Sequence, residues 1–134
     1  MTRKIFINLP VKDLKRAQAF FGELGFTFNA QFTDDKAACM VVSDDAYVML
    51  LVGSYFETFT KKPVSDAASH TAVLISFSAE SRAEVDALVD RALASGAKPA
   101  KEPQDHGFMY ARSFFDLDGH HWEVVWMDPS FVQK

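Results

Sequence analysis

The chain states one plan twice. A strand pattern, an amphipathic helix pattern and three further strand patterns occupy residues 4–52, and the same order returns over residues 71–126. A repeat of this length amounts to an internal duplication of one supersecondary plan. In the first half, Ile5, Ile7 and Leu9 alternate against Phe6 and Asn8 over residues 4–10, and Pro10 is expected to end that strand. Asp13 is placed as an N-cap, Leu14, Ala17, Phe21 and Leu24 follow at helical spacing, and Gly25 is placed as the stop. Strands are expected over residues 26–32, 37–42 and 46–52, with Asp34-Asp35 and Asp44-Asp45 at the turns. In the second half the expected strand is 71–78, and Ser81 with Glu84 forms a capping box. Val85, Leu88, Val89, Ala92 and Leu93 make a helix that Gly96 ends. A proline-bearing, irregular strand over 98–104 and strands over 108–115 and 120–126 complete the repeat. The closing hairpins overlay without gaps, so that Tyr47 falls on His121 and Met49 on Glu123.

The last hairpin carries the chemistry. Asp118-Gly119 is a tight-turn signal, because glycine accepts the positive φ that short hairpins need. Beyond it Trp122, Val124 and Trp126 fall on one face, and His121, Glu123 and Val125 on the other. A mid-strand carboxylate among aromatics requires a cation, a metal or hydrogen bonds. Arg112 in the preceding strand could pair with Glu123, a structural role; the alternative is contact with a ligand.

Residues 1–53 form module one, 54–69 a linker, 70–129 module two and 130–134 a C-terminal tail. The linker is expected to hold one helical turn under Phe56 and Phe59, its aromatics either anchoring it or closing over a cavity. The more aliphatic strand faces, built on Ile7, Leu9, Val48, Leu50, Val73, Ile75, Trp122 and Val124, are assigned to the helices. The opposite faces then present Phe6, Asn8, Met49, Leu51, Leu74 and Ser76 beside Glu123, and a slip of one residue would exchange the two sets. If those faces line one concave surface, it is a mostly apolar small-molecule pocket, with Tyr110, Arg112 and His121 as further ligand contacts. The fold class is α+β: two βαβββ modules forming a curved mixed sheet around a cavity.

A formal charge of −4 and the lack of any basic run exclude a nucleic-acid surface, and no apolar stretch reaches the ~20 residues of a membrane span. Met1-Thr2-Arg3-Lys4 leads straight into a strand pattern without a signal-peptide core, so a cytoplasmic protein is expected. The one cysteine, Cys39, sits in an apolar run and reads as a small buried hydrophobe. His106 and His120 fall in or beside turns and read as solvated or turn-bonded.

The paired βαβββ plan, the Phe20-Phe21 to Phe26 run and Asp116-Leu117-Asp118-Gly119-His120-His121-Trp122-Glu123 together resemble the vicinal oxygen chelate superfamily. It includes glyoxalase I, extradiol dioxygenases and bleomycin-resistance proteins. The resemblance covers the full chain, as a single glyoxalase-like domain, and is nearest to the subgroup described as predicted lactoylglutathione lyases. It implies a metal-binding glutamate at Glu123. It also implies three further ligands at positions that here carry Phe6, Met49 and Ala72, of which two have no donor and one a soft thioether. No cofactor is therefore expected. The alternative is Zn, Ni, Fe or Mn held by His70, His121 and Glu123. Function is expected to be binding of a small organic molecule in an apolar pocket. The alternatives are a metal-dependent lactoylglutathione-lyase-type enzyme, or a metal-free lyase or isomerase with Glu123 as base. A homodimer is expected, because members of the superfamily commonly complete their cavities with a partner and the weak 98–104 segment leaves an edge to cover.

Overall fold

Asp13 caps the first helix, α1 (Leu14–Glu23), by accepting the Arg16 N–H at 3.1 Å. At the other end Gly25 has φ +98°. Phe26 N–H bonds to Phe21 O at 3.1 Å and Gly25 N–H to Gly22 O at 3.0 Å, which satisfies two carbonyls the helix would leave unpaired. The structure, a computed structural model, describes residues 3–131. The chain divides into two compact units, Met1–Val64 and Ser65–Lys134, at a point inside the segment read as the linker.

Unit 1 contains β1 (Ile5–Val11), α1, β2 (Thr27–Phe28), β3 (Ala37–Ser43), β4 (Ala46–Val52) and a short α2 (Gly53–Phe56). Its sheet has the order β1-β4-β3-β2, with β1 parallel to β4 and the other pairs antiparallel. Leu9, Val48 and Leu50 are buried with Leu14, Ala17, Phe20, Phe21 and Leu24 of the helix segment. Each large side chain so buried contributes about 1.5–3 kcal/mol. Pro10 does not end β1, which continues to Val11. β1 is an edge strand of this sheet, the place where a residue without an N–H is tolerated. The strand expected over 26–32 is only Thr27–Phe28. Asn29 accepts the Gln31 N–H at 2.9 Å and opens a 3-10 turn, Ala30–Phe32.

Unit 2 contains β5 (Leu74–Ser78), α3 (Arg82–Ala94), β6 (Lys98–Pro99), β7 (Gln104–Asp105), β8 (Met109–Phe115) and β9 (His121–Met127). The order is β5-β9-β8-β6, β7 also pairs with β8, and β5 is parallel to β9. Ser81 caps α3 through the Glu84 N–H at 3.0 Å; Glu84 Oε2 reaches back to the Glu80 N–H at 2.9 Å, one residue beyond the expected partner. Trp122, Val124, Phe114, Val85, Val89 and Ala92 are fully buried. The 98–104 strand is broken into β6 and β7, as its prolines predict. The strand expected from residue 71 begins at Leu74. Of the expected tail, Pro129–Phe131 is a 3-10 turn and residues 132–134 lie outside the described residues. No described helix is long and apolar enough to cross a membrane. The α+β class and the phase of the strand faces are as the sequence predicts; each unit has a mixed sheet of its own, where one curved mixed sheet is expected from the sequence.

Candidate functional site

Register fixes which side chains stand together. In unit 2, Glu123 of β9 lies between Ser76 of β5 and Ser113 of β8, and His121 lies between Leu74 and Phe115. In unit 1, Met49 of β4 lies between Asn8 of β1 and Cys39 of β3, and Tyr47 lies beside Phe6. Met49 therefore occupies in its sheet the place that Glu123 occupies in the other, as the overlay of the hairpins predicts. Leu74, and not Ala72, is the counterpart of Phe6; Ala72 precedes β5.

Glu123 is half-buried and accepts a hydrogen bond from Ser76 Oγ at 3.0 Å. His121 is also half-buried, its ring edge-on to Phe115 at 5.1 Å, and its Nε2 is buried without a hydrogen-bond partner. Burial pushes the His121 imidazole below its ordinary value, outweighing the upward pull of the Glu123 charge.

Two expected ligand contacts lie on the face opposite to Glu123. Arg112 lies opposite Val124, and Tyr110 opposite Trp126, so both point to the helix-covered face. Arg112 Nη1 contacts Asp86 Oδ1 at 3.0 Å and Asp90 Oδ1 at 2.9 Å, both on α3, and Tyr110 donates to Asp86 at 2.6 Å. The Tyr110 hydroxyl and then Arg112 hold the Asp86 carboxyl below its usual range. The Arg112–Glu123 pair does not form: Ser113 is the residue opposed to Glu123, and Arg112, one position along the strand, points to the other face. On the same side as Tyr110, Arg82 lies over the Tyr110 ring at 4.9 Å and the Trp126 ring at 5.3 Å, and its two Nη atoms bond Asp105 at 2.9 and 2.6 Å.

Unit 1 contains an open cleft of about 310 Å³. Asn8, Met49 and Leu51, three of the expected ligand contacts, line it, and Tyr55 and Phe59 of the segment after β4 form another wall. Those two rings meet edge to face at 5.0 Å. Gln31, Phe32, Thr33 and Asp34 also line the cleft. They were not foreseen, because the 3-10 turn that carries Gln31 and Phe32 reads as strand in the sequence. Phe6 instead stacks on Tyr47 at 5.1 Å and 13° and does not line this cleft.

Phe6 offers a ring, Leu74 and Ala72 offer no donor, and Met49 offers a thioether, so Glu123 is the one hard ligand in the implied set. Among the described residues no three His, Cys, Asp or Glu side chains form a metal-holding group, so His70, His121 and Glu123 do not constitute one. His70 Nδ1 instead lies 2.8 Å from Ser69 Oγ, and His106 is exposed in its turn. Cys39 is buried, which pushes its thiol up.

Asp116 holds the turn that positions Glu123. Its buried carboxylate accepts the N–H groups of Asp118 at 2.9 Å and His120 at 3.0 Å through Oδ1, and the Trp122 indole N–H at 2.8 Å through Oδ2.

Comparison with solved structures finds the same fold repeatedly. A hypothetical protein from S. aureus is 27% identical with a TM-score of 0.78, over 93% of this chain and 94% of that one. A glyoxalase-related enzyme from Fulvimarina pelagi is 17% identical with a TM-score of 0.79, over 94% and 88%. A genomically encoded fosfomycin resistance protein from Listeria monocytogenes is 20% identical with a TM-score of 0.68, over 100% and 95%. No curated protein matches the chain. The family model for the Glyoxalase/Bleomycin resistance protein/Dioxygenase superfamily matches residues 5–124. With two βαβββ units, the Asp-Leu-Asp-Gly turn before Glu123 and this match over nearly its whole length, the chain belongs to the glyoxalase/bleomycin resistance protein/dioxygenase superfamily.

Proposed function

We propose that the chain binds a small organic molecule in the cleft of unit 1, without the superfamily's full metal site. The observation that carries this reading is the convergence of Asn8, Met49 and Leu51 with Tyr55 and Phe59 on one cleft of about 310 Å³. Aliphatic and aromatic walls share the lining with the amides of Asn8 and Gln31, the Thr33 hydroxyl and the Asp34 carboxylate, the kind of polar groups that orient a small molecule. Thr33 is already engaged, donating to Asn29 O at 2.7 Å and accepting the Cys39 N–H at 3.0 Å. Asn8 and Gln31 are thus the amides suited to orienting a ligand. The test is a small-fragment screen by amide chemical-shift mapping. Binders should shift the amides of residues 8, 31–34, 49–51 and 55–59; a screen whose hits never cluster there would overturn the reading.

The Ser76–Glu123 hydrogen bond supports a second reading, a metal-free lyase or isomerase. Glu123 would take the proton from the carbinol carbon of an α-hydroxy ketone and return it to the former carbonyl carbon, while the hydroxyl proton passes to the former carbonyl oxygen, with Ser76 fixing the carboxylate's direction. Turnover of an α-hydroxy ketone in the presence of a chelator, abolished by Glu123→Gln, tests it. The homodimer remains part of the proposal, supported by Ile5 and Phe6, which lie exposed on the edge strand β1. A monomer by light scattering at micromolar concentration would overturn that part.

A further inference from the structure

The cleft of unit 1 has a charge character of its own. Asp34 is the one formally charged side chain among its described lining residues. Oδ1 of Asp34 accepts the N–H groups of Lys36 at 2.8 Å and Ala37 at 3.0 Å, while no hydrogen bond to its Oδ2 arises among the described residues. Those two backbone donors hold the carboxyl below its usual range, so it is anionic at neutral pH. Three aromatic side chains share the cleft with it, and two of them, Phe32 and Phe59, are 57% and 65% exposed. A second observation concerns what these rings attract. Lys36 Nζ lies 5.9 Å from the centroid of the Tyr55 ring, so one wall already draws an ammonium group to its π face.

We propose that this cleft selects a flat aromatic molecule carrying a positive charge, such as a protonated aryl-alkyl amine, and rejects carboxylates and phosphates. The inference rests on the cleft being the binding site. It adds Asp34 as the residue that sets charge preference, Tyr55 and Phe59 as the aromatic walls, and Lys36 as a competing cation of the chain itself. A ligand ammonium would sit between the Asp34 carboxylate and the ring faces, where the charge and the ring quadrupoles act in the same direction. An anion would face the carboxylate, and the one nearby cation, Lys36, is drawn to the Tyr55 ring.

Three probes of matched shape test this: 2-naphthylmethylamine, 2-naphthylmethanol and 2-naphthoate, each titrated by amide chemical shifts at neutral pH and low salt. The amine should bind most tightly, the alcohol about tenfold more weakly, and the naphthoate not measurably. Asn at position 34 can still accept the two backbone N–H groups, so Asp34→Asn should keep the loop. It should weaken the amine roughly tenfold while leaving the alcohol unchanged. Phe59→Ala should weaken both, and Lys36→Met should tighten the amine alone. Naphthoate binding the cleft as tightly as the amine, or amine affinity unmoved by Asp34→Asn, would overturn the charge assignment and leave the small-molecule reading standing. If none of the three probes shifts the cleft amides and the fragment screen is also empty there, both fall together.

Discussion

Ser76 and Glu123 are direct neighbours across the parallel β5–β9 pair, and the Ser76 hydroxyl donates to the Glu123 carboxylate at 3.0 Å. The carboxylate is thus held by a neutral donor rather than by a cation. Gln at position 123 keeps an oxygen that can accept the same bond. Glu123→Gln should therefore change the free energy of unfolding by less than about 1 kcal/mol, measured by chemical denaturation. A loss of several kcal/mol would mean that a buried cation does depend on Glu123. If Glu123 acts as a base, the same variant abolishes turnover with the fold intact.

Arg112 gives the opposite expectation. Its side chain is 19% exposed and joins β8 to Asp86 and Asp90 of α3. Arg112→Ala should destabilise the protein by roughly 1–2 kcal/mol, a partly screened pair of charge-assisted bonds. Small-molecule affinity at the unit 1 cleft should not change. A variant that keeps its melting temperature but loses binding would return Arg112 to the ligand contacts.

His121 should make stability depend on pH on the acid side. Its folded pKa is lowered by burial, so below the ordinary imidazole value of ~6.5 the unfolded chain takes up a proton that the folded chain resists. Its contribution is fully present above that value and is lost as the pH falls through it. His121→Leu also removes the unpartnered Nε2, and the melting temperature should then vary less between about pH 6.5 and 5. An unchanged slope would show that another group carries the dependence.

Asp105 should titrate far below an ordinary carboxyl. The Arg82 fork, followed by the Gly107 N–H, holds it at about 2. A folded pKa below the unfolded one means that its contribution is present above ~3.8 and is lost as the pH falls toward about 2. Carboxyl carbon shifts followed by NMR should place the midpoint near 2, and Arg82→Gln should move it toward the ordinary range. A midpoint that Arg82→Gln leaves in place would show that the ion pair is not what holds it.

Two glycines with similar backbones should respond unequally to alanine. Gly119 has φ +92°, and a Cβ there would lie 2.7 Å from Ala67 O and 2.9 Å from Ala68 Cα. Gly107 has φ +80° with nothing within 4 Å. Gly107→Ala should cost about 1 kcal/mol in backbone strain, and Gly119→Ala clearly more, because the 66–69 turn must also move. Equal losses in denaturant titrations would contradict the close approach at Gly119.

The strand faces were legible because period-2 alternation is strong in Ile7-Leu9, Val48-Leu50 and Trp122-Val124. The caps at Asp13 and Ser81 and the stops at Gly25 and Gly96 were legible because each depends on local chemistry. The start of β5 was not. Thr71, Ala72 and Val73 continue the alternation, but β9 begins at His121, which pairs with Leu74, so no β9 partner lies beyond it. Arg112 was misplaced because nearness across a hairpin does not fix the side; only the pairing of Ser113 with Glu123 does. The Gln31 to Asp34 wall of the cleft was hidden because one asparagine turns an apparent strand into a 3-10 turn.

In each unit the first strand is hydrogen-bonded to the last, β1 to β4 and β5 to β9. Neither sheet can therefore close until the far end of its own half has been synthesised. Non-local pairing of this kind slows folding, and it leaves the apolar faces of β1 and α1 uncovered on the nascent chain until residue 52 has emerged. The first unit can then close while the second is still being translated, so a chain stalled or truncated before a closing strand would expose the apolar faces of the strands and helix already made in that half.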